Sequence, residues 1–338
     1  MLDRYTDALC GSISAHRAFF NRTADTLYIG GGTPSALGGN RLGRIITTAK
    51  KEFLTKNSEI TVEINPADCN EQDFEILASL GVNRLSMGVQ SAVEDELKLL
   101  SRRHKIADVI ETFRLARKVG INNISADLMM GIPNQTKESL KQSVDFLLEN
   151  SPTHISCYIL KVEENTPLKK AIDEGLKLPD DDETAEMYLY LDELLTKNGY
   201  EHYEISNFAK KGFESKHNNK YWNCEEYLGL GPSAHSFLDG NRFYFEPDIT
   251  KFLTNPTPVF DSNGGDSEEY IMLRLRLSKG LNFEEYQRKF GENLSDNFYK
   301  KCHFFEKQGL MNFNETSASL TVKGFLVSNS IICELLSE

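Results

Sequence analysis

The sequence predicts an α/β protein: a partial barrel of six βα units followed by a small, mainly helical domain. Three observations carry this reading. From residue 26 to about 205, short β-branched or aromatic runs alternate with amphipathic stretches, the pattern of repeated βα units on a parallel sheet. Glycines at Gly81, Gly120 and Gly199 follow the helical stretches as C-terminal stops. Six units in a row fit a barrel or partial barrel better than a doubly wound sheet. The strands are read at 27–29, 60–64, 84–88, 123–128, 154–159 and 200–204. Helices are read at 41–53, 70–80, 93–103, 106–119, 136–149 and 183–198, with starts marked by Asn40, Asn70 and Thr136.

Beyond the barrel, residues 1–245, the run 246–266 is rich in proline, glycine and polar residues and reads as a linker. Residues 267–338 read as three helices at 268–277, 283–290 and 295–308, a short strand pair near 310–313 and 319–321, and a last helix after Thr321. Three helices with a small β wing resemble a winged helix, an architecture often used on DNA. Lys and Arg total 38 against 50 Asp and Glu, a net charge of -12 that repels phosphate backbones, so nucleic acid is not an expected partner and a packing or docking role is. No run approaches the ~18 apolar residues of a membrane span, and the N-terminus lacks a signal-peptide core, so the cytoplasm is the expected address.

In such folds ligands sit at the C-terminal ends of the strands. The first strand empties into Gly30-Gly31-Gly32-Thr33-Pro34, where three residues without Cβ let backbone N–H groups approach a ligand and Pro34 fixes the exit. A tight barrel corner is the other reading of the same glycines. The next strands end in Glu63-Ile64-Asn65-Pro66, in Ser86 to Ser91, and in Asp127 to Pro133. Glu63, Gln90, Arg102 and Asp127 form the candidate polar set: carboxylates for an ammonium or a ribose diol, an amide for either, and a guanidinium for a carboxylate. Arg102 and Arg103 also read as the solvated end of a helix. Glu226 to Ser236 reads as a further strand with a glycine-rich turn.

His217-Asn218-Asn219-Lys220-Tyr221-Trp222 places a histidine in a polar loop beside the only Trp of the chain. A neutral imidazole next to aromatic faces suits a planar iron macrocycle, whereas the plain reading is a hydrogen-bonded surface histidine. The six cysteines, Cys10, Cys69, Cys157, Cys224, Cys302 and Cys333, are too far apart in sequence for a local metal motif.

Taken together, GGGTP (30–34), EINP (63–66), GVNRLSMGVQS (81–91), the Arg102-Arg103-His104 end, DLMMGIPNQT (127–136), YEISNFAK (203–210), HNNKYW (217–222), EYLGLGPSAHSF (226–237) and LTVKGF (320–325) resemble the radical S-adenosylmethionine proteins related to oxygen-independent coproporphyrinogen III oxidase. The HNxxYW element points within that group to the haem chaperones. The resemblance implies a partial (β/α)6 barrel with a winged-helix-like C-terminal domain. It implies that Gly31, Gly32 and Thr33 receive the methionine end of S-adenosylmethionine, with Glu63, Gln90, Arg102 and Asp127 completing the site, and that His217 is the haem-linked residue. It implies haem and a recipient haemoprotein as partners, with peripheral contact with a membrane protein as a further expectation, and it leaves the oligomeric state open. The alternative within the resemblance is the oxidase itself, a radical decarboxylation of propionate side chains. The CxxxCxxC that holds the family's 4Fe-4S cluster has no counterpart here. The chain is expected to begin after that segment and after the strand before it, which would leave the strand at 27–29 as a sheet edge and these residues without radical chemistry.

Overall fold

Strands whose successive residues alternate in polarity must build a sheet with one apolar and one polar face. The computed structural model describes residues 1–17 and 22–337. After α1 (Leu2–Arg17) come β1 (Ala24–Ile29), a short 3-10 turn at Pro34–Leu37, α2 (Gly39–Glu52), β2 (Leu54–Ile64), α3 (Glu71–Ser79) and β3 (Arg84–Gln90). Then follow α4 (Glu94–Leu99), α5 (Ile106–Lys118), β4 (Asn123–Met130), α6 (Lys137–Asn150), β5 (His154–Ile159), α7 (Pro167–Asp173), α8 (Asp181–Lys197), β6 (Glu201–Glu204) and β7 (Asn207–Ala209). The seven-stranded sheet has the order β1-β2-β3-β4-β5-β7-β6, with β1 at its edge. Strands β1 to β5 run parallel.

Register makes the two faces explicit. Ile64, Met87, Ala126, Ile155 and Phe208 pair in one row across five strands, and none is more than 2% exposed. Helices cover that face with residues at helical spacing, such as Val109, Phe113 and Ala116 of α5 and Leu140, Val144 and Leu147 of α6. Each large apolar side chain fully buried there contributes ~1.5–3 kcal/mol. The opposite face carries Glu63, Ser86, Ser125 and His154 in one row, and Asp127, Ser156 and Asn207 in the next. A polar interior is what a mouth lined for a ligand requires, and a close-packed apolar core would not have it.

Five helix signals act as expected: Asn70 and Thr136 form capping boxes with Asp73 and Ser139, and Gly81, Gly120 and Gly199 stop helices at φ +86°, +87° and +82°. Asn40 does not start its helix. The start lies at Gly39, whose N–H donates to Asp73 Oδ1 at 2.7 Å and whose missing Cβ leaves room for that residue's backbone. Helix α4 ends early, at Leu99, because Ser101 turns left-handed at φ +55°. The sixth βα unit is also corrected: β7 lies antiparallel beside β5, and only two residues separate it from β6, too few for a helical crossover.

The chain divides into two compact units, Met1–Glu201 with Ser206–Glu214, and His202–Ile205 with Ser215–Glu338. The second therefore begins well before the boundary read at residue 245. It holds α9 (Lys216–Trp222), β8 (His235–Leu238), β9 (Asn241–Tyr244), α10 (Ile249–Thr254), β10 (Val259–Asn263) and α11 (Ser267–Arg274). These are followed by β11 (Leu281–Asn282), α12 (Phe283–Phe290), α13 (Asp296–Lys307), β12 (Met311–Phe313), β13 (Ser317–Leu320), α14 (Val322–Leu326) and α15 (Ser328–Leu336). The run read as a linker, 246–266, thus contains a capped helix and a strand: Asp248 accepts from the N–H groups of Thr250 and Lys251, and β10 pairs with β9. Of the strand expected over 226–236, only His235 and Ser236 lie in one, as the start of β8, and Tyr227 adds an isolated bridge to Phe237. A glycine of this run lets backbone meet backbone, since a Cβ on Gly229 would lie 2.0 Å from the His235 carbonyl oxygen. The C-terminal helices and the β11-β13-β12 sheet match the winged-helix-like reading. Among the described residues no helix is long and apolar enough to cross a membrane.

In LTVKGF, the glycine is dictated by packing. A Cβ on Gly324 would meet the Leu310 carbonyl oxygen at 2.0 Å, and backbone cannot yield as a flexible side chain does. Gly324→Ala is expected to cost about 3 kcal/mol, read as a lowered urea midpoint; an unchanged midpoint would mean that α14 shifts freely away from Leu310.

Candidate functional site

The glycine loop is held by one carboxylate. Glu63, at the end of β2, accepts the Tyr28 hydroxyl at 2.7 Å on Oε1 and the Gly31 N–H at 3.0 Å on Oε2. Burial and the Glu63 carboxylate push the Tyr28 hydroxyl far above the usual phenol range, so it stays a donor. Gly30 is required by this arrangement: its Cβ would sit 2.5 Å from the Tyr28 ring and 2.7 Å from Glu63 Oε1. Gly31 and Gly32 are left-handed, at φ +78° and +57°, and open space lies where their side chains would be. Asn65 Nδ2 reaches toward Thr33 Oγ1 at 3.5 Å, and Asn65 Oδ1 faces Arg102 Nη1 at the same distance. The Gln90 amide lies beside Asn65 over Gly88, where a Cβ would be 3.0 Å from Gln90 Nε2 and 3.4 Å from Asn65 Oδ1.

Asp127 completes the mouth from β4. Ser86 Oγ lies 3.5 Å from its Oδ1, and Ser156 hydrogen-bonds to it. Burial raises its carboxyl to about 6, against the pull of Ser156, Arg84 and Ser86 and with a further push from Glu63. Burial lowers the Arg102 guanidinium from its ordinary range, while Asp127 opposes that shift. Gly31, Gly32, Thr33, Glu63, Gln90, Arg102 and Asp127 are therefore gathered at the C-terminal ends of β1 to β4. Arg102 is not the solvated helix end that its neighbour Arg103 is: it is half-buried, whereas Arg103 is exposed. Among the described residues neither Arg102 nor Asp127 has a salt-bridge partner within 4 Å, although each feels the other's charge, so the mouth presents a cation and a carboxylate without close ionic partners. Such a pair is complementary to a zwitterion.

Sequence reasoning missed Tyr28, Arg84 and Ser156, and named Ser86 only as part of a strand end. Their signal was the period of two: each lies on the same face as Glu63 or Asp127. Arg84 is 1% exposed, and its Nε has no hydrogen-bond partner.

The second constellation lies in the other unit. HNNKYW is not a loop but helix α9, capped by Ser215, whose side chain accepts the Asn218 N–H. Helical spacing brings His217 and Tyr221 together: Nε2 lies 2.9 Å from the Tyr221 hydroxyl, and the rings meet edge-on with centroids 5.3 Å apart. Tyr221 packs edge-on against Tyr227 at 4.6 Å, and the Tyr227 hydroxyl accepts from Arg242, which is ion-paired with Glu269. The buried Trp222 indole N–H has no acceptor.

Comparison with known proteins places the chain in a family. Residues 15–147 match the radical SAM superfamily, and residues 267–327 match the HemN C-terminal domain. The chain is 34% identical to the heme chaperone HemW of Lactococcus lactis subsp. lactis (strain IL1403), over 100% of this chain and 90% of that protein. It is 35% identical to the heme chaperone HemW of Bacillus subtilis (strain 168), over 93% of this chain and 86% of that one. The chain belongs to the HemW family of radical SAM proteins. In fold it is similar to coproporphyrinogen III oxidase (HemN) from Escherichia coli, with a TM-score of 0.83 over 99% of this chain and 83% of that one, at 22% identity.

Membership in this family implies S-adenosylmethionine and a 4Fe-4S cluster, and the two fit these residues differently. The mouth at β1 to β4 suits a zwitterion. The described cysteines do not suit a cluster, because iron–sulfur ligation needs three or four thiolates in close array. Cys10 lies on α1, Cys224 and Cys302 are buried in the second unit, and Cys333 is on α15. Burial pushes the thiols of Cys69 and Cys302 up to about 12 and that of Cys157 higher still, which favours the protonated form. Among the described residues no three His, Cys, Asp or Glu side chains form a group that could hold a metal ion.

Proposed function

We propose that this HemW-family protein binds haem as cargo and passes it to a recipient haemoprotein, and that it binds S-adenosylmethionine at the barrel mouth. The observation that carries the haem reading is the α9 constellation, in which a half-exposed imidazole, two tyrosines and a tryptophan with an unused donor share one short stretch of chain. His217 offers a ring nitrogen to iron, and its Tyr221 partner must turn aside for Nε2 to reach it. The aromatic rings cover apolar macrocycle edge, and the Trp222 N–H is a donor suited to a propionate.

At the mouth, Gly31, Gly32 and Thr33 would take the methionine end of S-adenosylmethionine, Arg102 its carboxylate, and Glu63, Gln90 and Asp127 the remaining polar groups. What supports this is a half-buried guanidinium and a buried carboxylate, neither in a close ion pair, at the same strand ends as the bare backbone of Gly31 and Gly32. When bound, S-adenosylmethionine supplies a reactive sulfonium, and the residues here act by holding and orienting it.

Haemin titration, followed at the Soret band, tests the first part. Wild type is expected to bind saturably, and His217→Ala to bind on the order of tenfold more weakly, the loss of about 1.4 kcal/mol. Equal binding by both chains would remove His217 from the site, and no saturable binding by wild type would overturn the haem reading.

A further inference from the structure

Gln90 is left-handed, at φ +68°, although it is neither glycine nor asparagine. Such a backbone persists only where its surroundings over-determine it. What surrounds it is a buried polar cluster centred on Glu96, which is 5% exposed. Glu96 Oε2 accepts from Ser91 Oγ at 2.6 Å and from Gln135 Nε2 at 3.3 Å, and Oε1 accepts from Ser139 Oγ at 2.6 Å. All three donors are neutral, so the carboxylate is used for its hydrogen bonds rather than for an ion pair.

The two ends of this cluster lie on different loops. Ser91 directly follows Gln90; its Oγ accepts the Val93 N–H at 2.9 Å, and the next N–H, of Ala92, donates to Ser143 Oγ on α6 at 3.0 Å. On the far side, Gln135 turns its Oε1 to the Gly131 N–H at 2.8 Å and its Nε2 to the Met129 carbonyl at 3.2 Å. Behind Gln90, the Val89 carbonyl accepts the Ser91 N–H at 2.9 Å and faces His104 Nε2 at 3.2 Å. The loop after β3, which directly follows Gln90, is thereby tied to the loop after β4, the strand that presents Asp127.

We propose that Glu96 is a positioning residue of the mouth: its carboxylate fastens the β3 loop to the β4 loop and so keeps Gln90 left-handed, with its amide beside Asn65. This rests on the reading of Gln90 as a contact for S-adenosylmethionine. Removing the charge while keeping the shape, as in Glu96→Gln, replaces an acceptor of three hydrogen bonds by a group that must also donate, which no longer matches all three donors.

Hydrogen exchange of the full chain, read by mass spectrometry, tests the brace with no ligand present. In Glu96→Gln, peptides covering 88–93 and 129–136 are expected to exchange faster together, while α12 and α13 stay as in wild type. Unchanged exchange in either loop would overturn the proposal. Equilibrium dialysis with S-adenosylmethionine then asks whether the brace acts through Gln90. Glu96→Gln and Gln90→Ala are each expected to weaken binding about tenfold, the loss of one well-placed hydrogen bond, and the double variant to bind no worse than Gln90→Ala. Additive losses would overturn the route through Gln90. Glu96→Asp, which keeps the charge on a shorter arm, is expected to fold and to lie between wild type and Glu96→Gln. If wild type and Gln90→Ala bind the probe equally or not at all, the ligand reading of the mouth fails, and the exchange experiment still decides the brace.

Discussion

Asp127→Asn is expected to make the protein more stable at neutral pH while weakening its hold on S-adenosylmethionine. The carboxyl is raised to about 6 from an ordinary value of 3.8, with burial as the largest cause. A folded-state pKa above the unfolded one means that between pH ~4 and ~6 the native state holds the proton and the unfolded chain does not, so stability falls as pH rises through that window. Above it the ionised carboxylate costs about 2 kcal/mol, after allowance for the water that reaches its partly exposed edge. Asparagine keeps an acceptor for Ser156 and carries no charge to desolvate. The groups whose fields reach Asp127 are Arg84 and Glu63, while Tyr28, Arg102 and Cys157 respond to it. His154 acts in the opposite sense: burial holds it neutral, well below 6.5, so it destabilises the fold as pH falls below that value. The measurement is therefore a difference, the urea stability of wild type and Asp127→Asn at pH 4, 6 and 7.5. The variant is expected to gain at 7.5 and to lose that gain by pH 4; a destabilised variant at pH 7.5 would mean that Asp127 is a paired structural carboxylate and not one kept for a ligand.

Gly30→Ala is expected to be the most damaging change to the mouth, and Gly31→Ala, one residue on, among the milder ones. At Gly30 a methyl group collides with Tyr28 and with Glu63 Oε1. Moving Glu63 gives up both the Tyr28 hydroxyl and the Gly31 N–H, charge-assisted bonds contributing ~1.5–3 kcal/mol each. At Gly31 the methyl group meets nothing within 4 Å, and the cost is that of a left-handed alanine, about 1 kcal/mol. Binding of S-adenosylmethionine, by equilibrium dialysis, is expected to fall about a hundredfold in the first and less than tenfold in the second. The reverse order would mean that the loop is set by backbone conformation at Gly31 and not by the Glu63 clamp.

The contrast between these two glycines shows where sequence reading reaches its limit. Three consecutive glycines announce that backbone comes close to something, yet whether the partner is a ligand, a strand or a side chain depends on residues 30 or more positions away. Glu63 and Asp127 were legible because each sets a charge toward the end of a strand where packing needs none. Tyr28 and Arg84 were not selected because an aromatic residue inside a strand and a basic residue at a strand start read as ordinary, and only register shows that both face Glu63's side of the sheet. Gln135 and Glu96 resemble surface residues in sequence; folding alone buries them against each other.

Local rules therefore determined the order of helices and strands, since capping boxes at Asn70 and Thr136, left-handed glycines and alternating polarity act over a few residues. They also determined the family, because the motifs that carry it are contiguous. Only the tertiary structure decided that 207–209 returns antiparallel, that 249–263 is helix and strand rather than linker, and that HNNKYW is a helix. It alone joined Glu63 to Gly31, Asn65 to Arg102 and Glu96 to Ser139. The physical reason is range: hydrogen bonds within a turn are written in neighbouring residues, whereas burial, charge pairing and clash depend on which distant strands the folded sheet sets side by side.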